Sequence, residues 1–120
     1  MTESLLFMLE GVKMGAEFKC ENGCLRVIYS GEIDHHTARD LCIQTDIKIT
    51  LLRPKRVLLD FGLVSFMDSS GLAVAVGRKK LCDKLKIKIY VVNSSGYPDK
   101  ILRLAGVDKM MEFLEEDHEV

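Results

Sequence analysis

The sequence predicts a single α/β domain in which a mixed, mostly parallel sheet of four to five strands is covered by helices. Its 120 residues suit one domain, and 48% hydrophobic content supplies a core of ordinary size for a soluble globular protein. An Asn-Gly turn joins two strand-like segments near the start. From there, short apolar runs alternate with helical patterns, which favours parallel strands with helices packed on the sheet.

The first predicted element of this domain is a β-hairpin. Its two segments, "AEFKC" and "CLRVIYSGEI", flank Asn22-Gly23, a dipeptide typical of the tightest hairpin turns. Alternate residues from Leu25 to Tyr29 are apolar, as in a strand with one buried face. Gly31 is expected to interrupt this second strand.

A helix is predicted next, in the segment "DHHTARDLCIQTDIKITLLRPKR". Either Asp34 or Thr37 is able to cap its start, and Pro54 ends it. The expected inner stripe repeats at helical spacing and consists of Ala38, Leu41, Thr45, Lys48 and Leu52, with Ile49 beside it.

The rest of the chain continues the alternation. "RVLLDFG" has the composition of a buried central strand bounded by Gly62, and "SGLAVAVGRKKLCDKL" follows as a helix. "KIKIYVV" is a further strand, and "PDKILRLAGV" is a helix with Pro98 in its first turn. The segment "KMMEFLEE" fits a short strand or a short helix.

The N-terminal boundary has two interpretations. Residues 16–120 form the predicted domain, and residues 1–15 are either an N-terminal extension or a mis-assigned leader. Codons for residues 9–14 are able to contain a purine-rich ribosome-binding sequence before Met14, so residues 1–13 would be leader. Alternatively, Leu5, Leu6, Leu9 and Val12 form one face of an amphipathic helix.

Charge and cysteine content exclude several classes of function. Seventeen basic and eighteen acidic residues give neither a nucleic-acid footprint nor a reason for membrane-surface binding. The four cysteines contain no CxxC pair, and the histidines complete no zinc pattern. We therefore expect no metal and no cofactor, and cysteines that remain reduced in a cytoplasmic protein.

The stretch Asp68-Ser69-Ser70-Gly71 lies where a buried strand is expected to give way to a helix, and it has three interpretations. A serine caps the free N–H groups at the helix start, and Asp68 suits the positive end of the helix dipole. A nucleophilic serine is disfavoured because Met67 occupies a glycine position of the hydrolase elbow.

The third interpretation of this stretch is a phosphorylation site. A phosphate at a helix N-terminus is tolerated by the protein itself, through free N–H groups and the helix dipole. A partner packed on the same surface would be repelled. Small residues are expected to let such a partner approach closely, and they are Gly71, Ala73, Ala75 and Gly77.

Two motifs at a characteristic separation resemble the STAS domain family. They are "GEIDHHTA" at 31–38 and "VLLDFGLVSFMDSSGL" at 57–72, followed by "VGRKK" at 76–80. Within that family the chain is similar to the anti-sigma factor antagonists of endospore-forming bacteria. The resemblance covers most of the chain, from about residue 16 to about residue 113.

This resemblance implies regulation by partner switching, without enzymatic activity. The unphosphorylated antagonist binds an anti-sigma factor that is also an ATP-binding serine kinase, and the released sigma factor transcribes sporulation genes. Phosphorylation by that kinase inactivates the antagonist, and a serine phosphatase restores it. The alternatives are a general-stress sigma antagonist, a STAS module of a transporter or lipid-trafficking complex, and, least favoured, a serine hydrolase.

The resemblance also implies the site residues. Ser69 is the phosphorylated serine, and no residue is catalytic. Asp34 and His35 match a partner-facing loop, whereas His36 and Thr37 orient the following helix. The complete predicted partner-binding set is Asp34, His35, Asp68, Ser69, Ser70, Gly71 and Ala73. Ala73 replaces the glycine usual in the sporulation members, so an altered affinity is expected.

Overall fold

A computed structural model describes residues 12–13 and 15–115, which form one sheet with three helices. The elements in chain order are β1 Val12–Lys13, β2 Ala16–Glu21, β3 Cys24–Ile33, α1 Ala38–Leu52, β4 Arg56–Met67, α2 Ser70–Leu85, β5 Lys88–Val92, α3 Gly96–Leu104, a 3-10 turn at Val107–Lys109, and β6 Glu112–Leu114. The predicted α/β class is confirmed, and the last uncertain segment is a strand.

The sheet follows the order of the sequence, from β1 to β6. Strands β1, β2 and β3 are antiparallel neighbours, and β3 to β6 are parallel. The described sheet therefore has six strands instead of four to five, because the two-residue β1 extends it at one edge. Both interpretations of residues 1–13 lie largely outside the described residues, although Val12 belongs to a strand and not to a helix.

The predicted hairpin is confirmed, with one correction. Asn22 and Gly23 both have positive φ, 54° and 77°, as a two-residue turn between twisted strands requires. However, β3 does not end at Gly31 but continues to Ile33. Gly31 has a φ of 78° and lies beside a shift in the register between β3 and β4. Its positive φ accommodates a bulge there, and the two strands pair again beyond it.

One face of the sheet carries the core, and α1 packs there through most of its predicted stripe. Tyr29 is fully buried between the sheet and α1, where its hydroxyl is 2.8 Å from Thr45 Oγ1. Burial raises the pKa of this phenol. Lys48 is also buried, with Nζ 5.3 Å from the centre of the Phe18 ring. Leu52, by contrast, is exposed, because it lies in the last turn of the helix.

Helix α2 forms over the predicted segment. Its buried residues are Gly71, Val74, Ala75, Arg78 and Cys82. Leu72, Val76, Leu81 and Leu85 lie partly buried at the margin of the core. The Arg78 guanidinium reaches α1, where Nε is 2.6 Å from Asp46 Oδ1. This ion pair joins the two helices. The sequence pattern does not indicate it, because a charged residue of a helix is ordinarily expected on the solvent side, whereas Arg78 is buried.

Strand β4 is longer than predicted. It passes Gly62 and continues to Met67 because β3 runs beside it to the end, pairing Ile33 with Met67. The other neighbour, β5, ends earlier, where Val92 pairs with Asp60. The second half of β4 therefore has a strand on one side only, and its outward side chains are exposed.

A buried carboxylate joins the three central strands at the point where β5 ends. Asp60 Oδ2 accepts hydrogen bonds from the Arg26 guanidinium, at 2.8 Å, and from the Asn93 side-chain amide, at 3.2 Å. Asp60 Oδ1 accepts a third, from the Gly62 N–H at 2.8 Å. Asp60 is 7% exposed, so this cluster fixes the positions of the chain on both sides of it.

Candidate functional site

The two motifs meet at the carboxyl ends of β3 and β4. Because these strands are parallel, the segments that follow them emerge at the same edge of the sheet. The Asp68 N–H donates to the Ile33 carbonyl at 3.1 Å, which ties the end of one strand to the end of the other. The structure thereby brings Asp34 beside Asp68, and the turns that contain His35 and Ser69 leave the sheet at the same edge.

The start of α2 is capped by the acid of the motif and not by a serine. Asp68 Oδ1 accepts a hydrogen bond from the Ser70 N–H at 2.7 Å, and the Asp68 carbonyl accepts one from Gly71 at 3.0 Å. Ser69 occupies the N-cap position without a side-chain capping bond. The expectation of a serine cap is therefore wrong, because the side chain of Asp68, expected only to suit the helix dipole, makes the capping bond. The Ser69 hydroxyl is left available.

Ser69 is exposed to solvent, whereas Asp68 and Ser70 on either side are half-buried. Within residues 15–115, the Ser69 hydroxyl makes no hydrogen bond to a histidine that would act as a general base. The arrangement presents a hydroxyl to an incoming reagent but does not activate it.

The turn from Asp34 to Thr37 is held by its own side chains. Asp34 Oδ1 accepts hydrogen bonds from the N–H groups of His36, at 2.9 Å, and Thr37, at 3.1 Å. These bonds, led by the one from His36, lower the pKa of the Asp34 carboxyl. Thr37 Oγ1 accepts from the Asp34 N–H and donates to the Glu32 carbonyl, both at 3.0 Å.

This turn displays the two histidines. The rings of His35 and His36 are exposed and lie against each other, with centroids 4.0 Å apart. Thr37 is the N-cap residue of α1 but makes no side-chain capping bond, and His36 contributes its backbone N–H to the turn. The site therefore combines a rigid acidic turn, two outward imidazoles and an exposed serine.

The four small residues of α2 do not share one surface. Gly71 and Ala75 are buried, and a Cβ at Gly71 would collide with the side chain of Met67. Only Ala73, which is exposed, and Gly77, which is half-buried, are accessible to a partner. The expectation of a close approach over all four is wrong, because the helix turns Gly71 and Ala75 toward the sheet.

We expect Gly71→Ala to lower the free energy of unfolding by about 1–3 kcal/mol, the usual cost of inserting a methyl into a filled space. The new methyl must displace the buried Met67 side chain. Urea denaturation measures the effect. Gly77→Ala is the matched control, because a Cβ there meets nothing within 4 Å, and this variant should keep or gain stability. Equal stability of the two variants would contradict the packing role of Gly71.

Sequence reasoning missed three exposed apolar residues near this edge, Leu63, Phe66 and Tyr97. The rings of Phe66 and Tyr97 are stacked, with centroids 6.2 Å apart. The available signal was the run "LVSFM" after Gly62, which keeps the β-branched and aromatic composition of a strand.

The described part of the chain contains no group of three or more His, Cys, Asp or Glu side chains arranged to hold a metal ion. None of its helices has the length and apolar character needed to cross a membrane. All four cysteines are free thiols, and burial, the largest cause, raises the pKa of Cys82 to about 11.

Comparisons with known proteins agree with this fold. The model of the STAS domain family matches residues 16–119. The "Anti-sigma F factor antagonist" of Paenibacillus polymyxa is 34% identical over 95 residues, which cover 79% of this chain and 81% of the relative.

Two solved structures share the fold. The anti-sigma factor antagonist SpoIIAA in its unphosphorylated form has a TM-score of 0.65 and 19% identity, covering 87% of this chain and 89% of that one. The Bacillus cell fate determinant SpoIIAA in the phosphorylated form has a TM-score of 0.67 and 21% identity, covering 85% and 93%.

Proposed function

The chain belongs to the STAS domain family and within it to the anti-sigma factor antagonists, and we propose that phosphorylation of Ser69 switches its binding to an anti-sigma factor. The unphosphorylated chain binds an anti-sigma factor that is also an ATP-dependent serine kinase, and the sigma factor is released. The genes then transcribed would be sporulation genes, and the process cytoplasmic, as the resemblance of the two sequence motifs implies.

The observation that carries this proposal is that the capping residue and the exposed hydroxyl at the start of α2 belong to different residues. Asp68 caps the helix, and the hydroxyl of the exposed Ser69 makes no capping hydrogen bond. A serine whose only role was capping would be expected to hydrogen-bond the free N–H groups. A kinase is therefore able to phosphorylate this hydroxyl without breaking a capping hydrogen bond of the fold.

The chemistry follows from the position of the hydroxyl. The Ser69 Oγ would attack the γ-phosphorus of ATP, an O–P bond forms as the bond to the ADP oxygen breaks, and the hydroxyl proton is lost to the kinase or solvent. A serine phosphatase reverses the change by transferring the phosphoryl group to water. The chain itself supplies only the acceptor.

The electrostatics of the surroundings explain how a phosphate would change binding. It adds about −1.5 to −2 charges at neutral pH. The helix N-terminus favours that charge, so the fold tolerates it. On the surface, however, it joins the carboxylates of Asp34 and Asp68. A partner surface that is complementary to the unmodified turns would then have to bury the phosphate charge without an opposite charge facing it.

The test is the intact mass of the chain after incubation with ATP and the anti-sigma factor serine kinase of the same organism. We expect one added phosphate on the wild type and none on Ser69→Ala. Ser70→Ala is the matched control, since the Ser70 side chain is half-buried, and it should still accept one phosphate. Phosphate on Ser69→Ala, or on neither protein, would contradict the proposed switch.

A further inference from the structure

Three exposed side chains form an apolar surface beside the two turns, which we call the aromatic patch: Leu63, Phe66 and Tyr97. They are 65%, 43% and 56% exposed, respectively. The rings of Phe66 and Tyr97 are nearly parallel, inclined by 20°. Exposed large apolar groups that lie together, unlike single ones, are a mark of interaction surfaces.

The topology explains why these residues meet. Past Asp60, β4 has no strand on the β5 side, so its outward residues lack the cover that a further strand and connection would provide. Leu63 pairs with Ser30 and Phe66 pairs with Glu32, and all four are exposed, which places them on the outer face of the sheet. Helix α3 begins at Gly96 and sets Tyr97 against Phe66.

Hydrogen bonds to the Asp60 carboxylate fix the two chain segments that carry the aromatic patch. The Asp60 carboxylate binds the Gly62 N–H, next to Leu63, and the side chain of Asn93, which leads into α3. Asn93 has a φ of 60°, and its N–H donates to the Leu114 carbonyl at 3.0 Å. Both sides of the patch are therefore ordered before any partner binds, which reduces the entropy lost on association.

We infer that the aromatic patch is a second docking surface for the same anti-sigma factor, which offers an apolar pocket for the Tyr97 ring. This inference rests on the proposed function. The patch is continuous with the Ser69 turn, because Phe66 is separated from Asp68 only by the buried Met67. A stable complex needs about 800 Å² from each partner, and a contact surface that extends from the short turns at 34–37 and 68–70 onto the patch is larger than the turns alone.

The chemistry of the patch suits an anchoring role. Tyrosine is enriched among the residues that dominate binding energy, since its ring buries a large area with little loss of side-chain freedom. Anchoring there does not involve the Ser69 hydroxyl. The patch therefore contributes binding free energy that does not depend on phosphorylation. A phosphate at Ser69 lowers the affinity of the same complex.

The test is the affinity for the anti-sigma factor of the same organism, measured by calorimetry in the Ser69→Ala background so that no chain is phosphorylated. Tyr97→Ala and Phe66→Ala should each weaken binding about tenfold or more. Leu51→Ala is the matched control. Leu51 is 55% exposed but lies near the far end of α1, and its loss should leave the affinity unchanged.

The outcomes separate this inference from the proposed function. Equal affinity of the Tyr97, Phe66 and Leu51 variants, with tight binding of the parent, would overturn the inference and leave the proposed function intact. No binding by the parent would overturn both. Self-association of the free chain that Tyr97→Ala abolishes, without a change in affinity for the anti-sigma factor, would assign the patch to a second copy and also overturn the inference.

Discussion

Ser69→Asp is expected to weaken binding to the anti-sigma factor about a hundredfold, whereas Ser69→Ala should bind as tightly as the unphosphorylated wild type. A hundredfold corresponds to ~2.7 kcal/mol, within the several kcal/mol that like charges cost when an interface brings them together. The added carboxylate joins Asp68 and Asp34 at one edge of the sheet. Calorimetric titration of each variant with the anti-sigma factor measures the difference.

Two controls show whether the loss is electrostatic. Ser69→Asn has nearly the size of the aspartate without its charge, so it should bind much closer to Ser69→Ala. The thermal unfolding of Ser69→Asp should match that of the wild type, because Ser69 is exposed and an acid is favourable at a helix N-terminus. Equal affinities of the aspartate and alanine variants would remove charge at Ser69 as the switch.

Asp60→Ala is expected to have the largest effect on stability, a loss of about 3 kcal/mol in the free energy of unfolding. The change removes the acceptor of three hydrogen bonds, from Arg26, Gly62 and Asn93. It also removes one ion-pair partner of the Arg26 guanidinium, whose side chain is 23% exposed. Urea denaturation at neutral pH measures the loss.

Asp83→Ala is the control for Asp60→Ala. Asp83 pairs with Lys79 at 2.8 Å on the surface of α2, and its side chain is 57% exposed. Such pairs contribute about 0.5 kcal/mol or less. Asp60→Asn should fall between the two, since it retains an acceptor oxygen but not the charge. If Asp60→Ala lost no more stability than Asp83→Ala, the carboxylate would not be the link between the central strands.

Local signals in the sequence were sufficient for much of the fold. The Asn22-Gly23 turn, the alternation from Leu25 to Tyr29 and the helical spacing of Ala38 to Ile49 all depend on neighbours within a few residues. The alternation of strands and helices then predicted a mostly parallel sheet. In such a sheet, motifs that follow two successive strands emerge at one edge, which is where the structure has the turns at 34–37 and 68–70.

Element ends were less predictable wherever a neighbouring strand decided them. The sequence predicts that Gly31 and Gly62 end their strands, because glycine disfavours strands locally, yet β3 and β4 continue past both. Their mutual hydrogen bonds, to the pairing of Ile33 with Met67, outweigh that preference. Because no local pattern contains the partner strand, the exposed end of β4 and its apolar side chains were not anticipated.

The sequence by itself determined the order of the elements, the hairpin turn and the two motifs that identify the family. Only the tertiary structure decided which small residues of α2 face the core, that Asp68 is the cap while Ser69 is exposed, and that Phe66 meets Tyr97. The reason is physical. Propensity and periodicity act through the nearest residues, whereas orientation, capping and exposure depend on what packs against each residue from elsewhere in the chain.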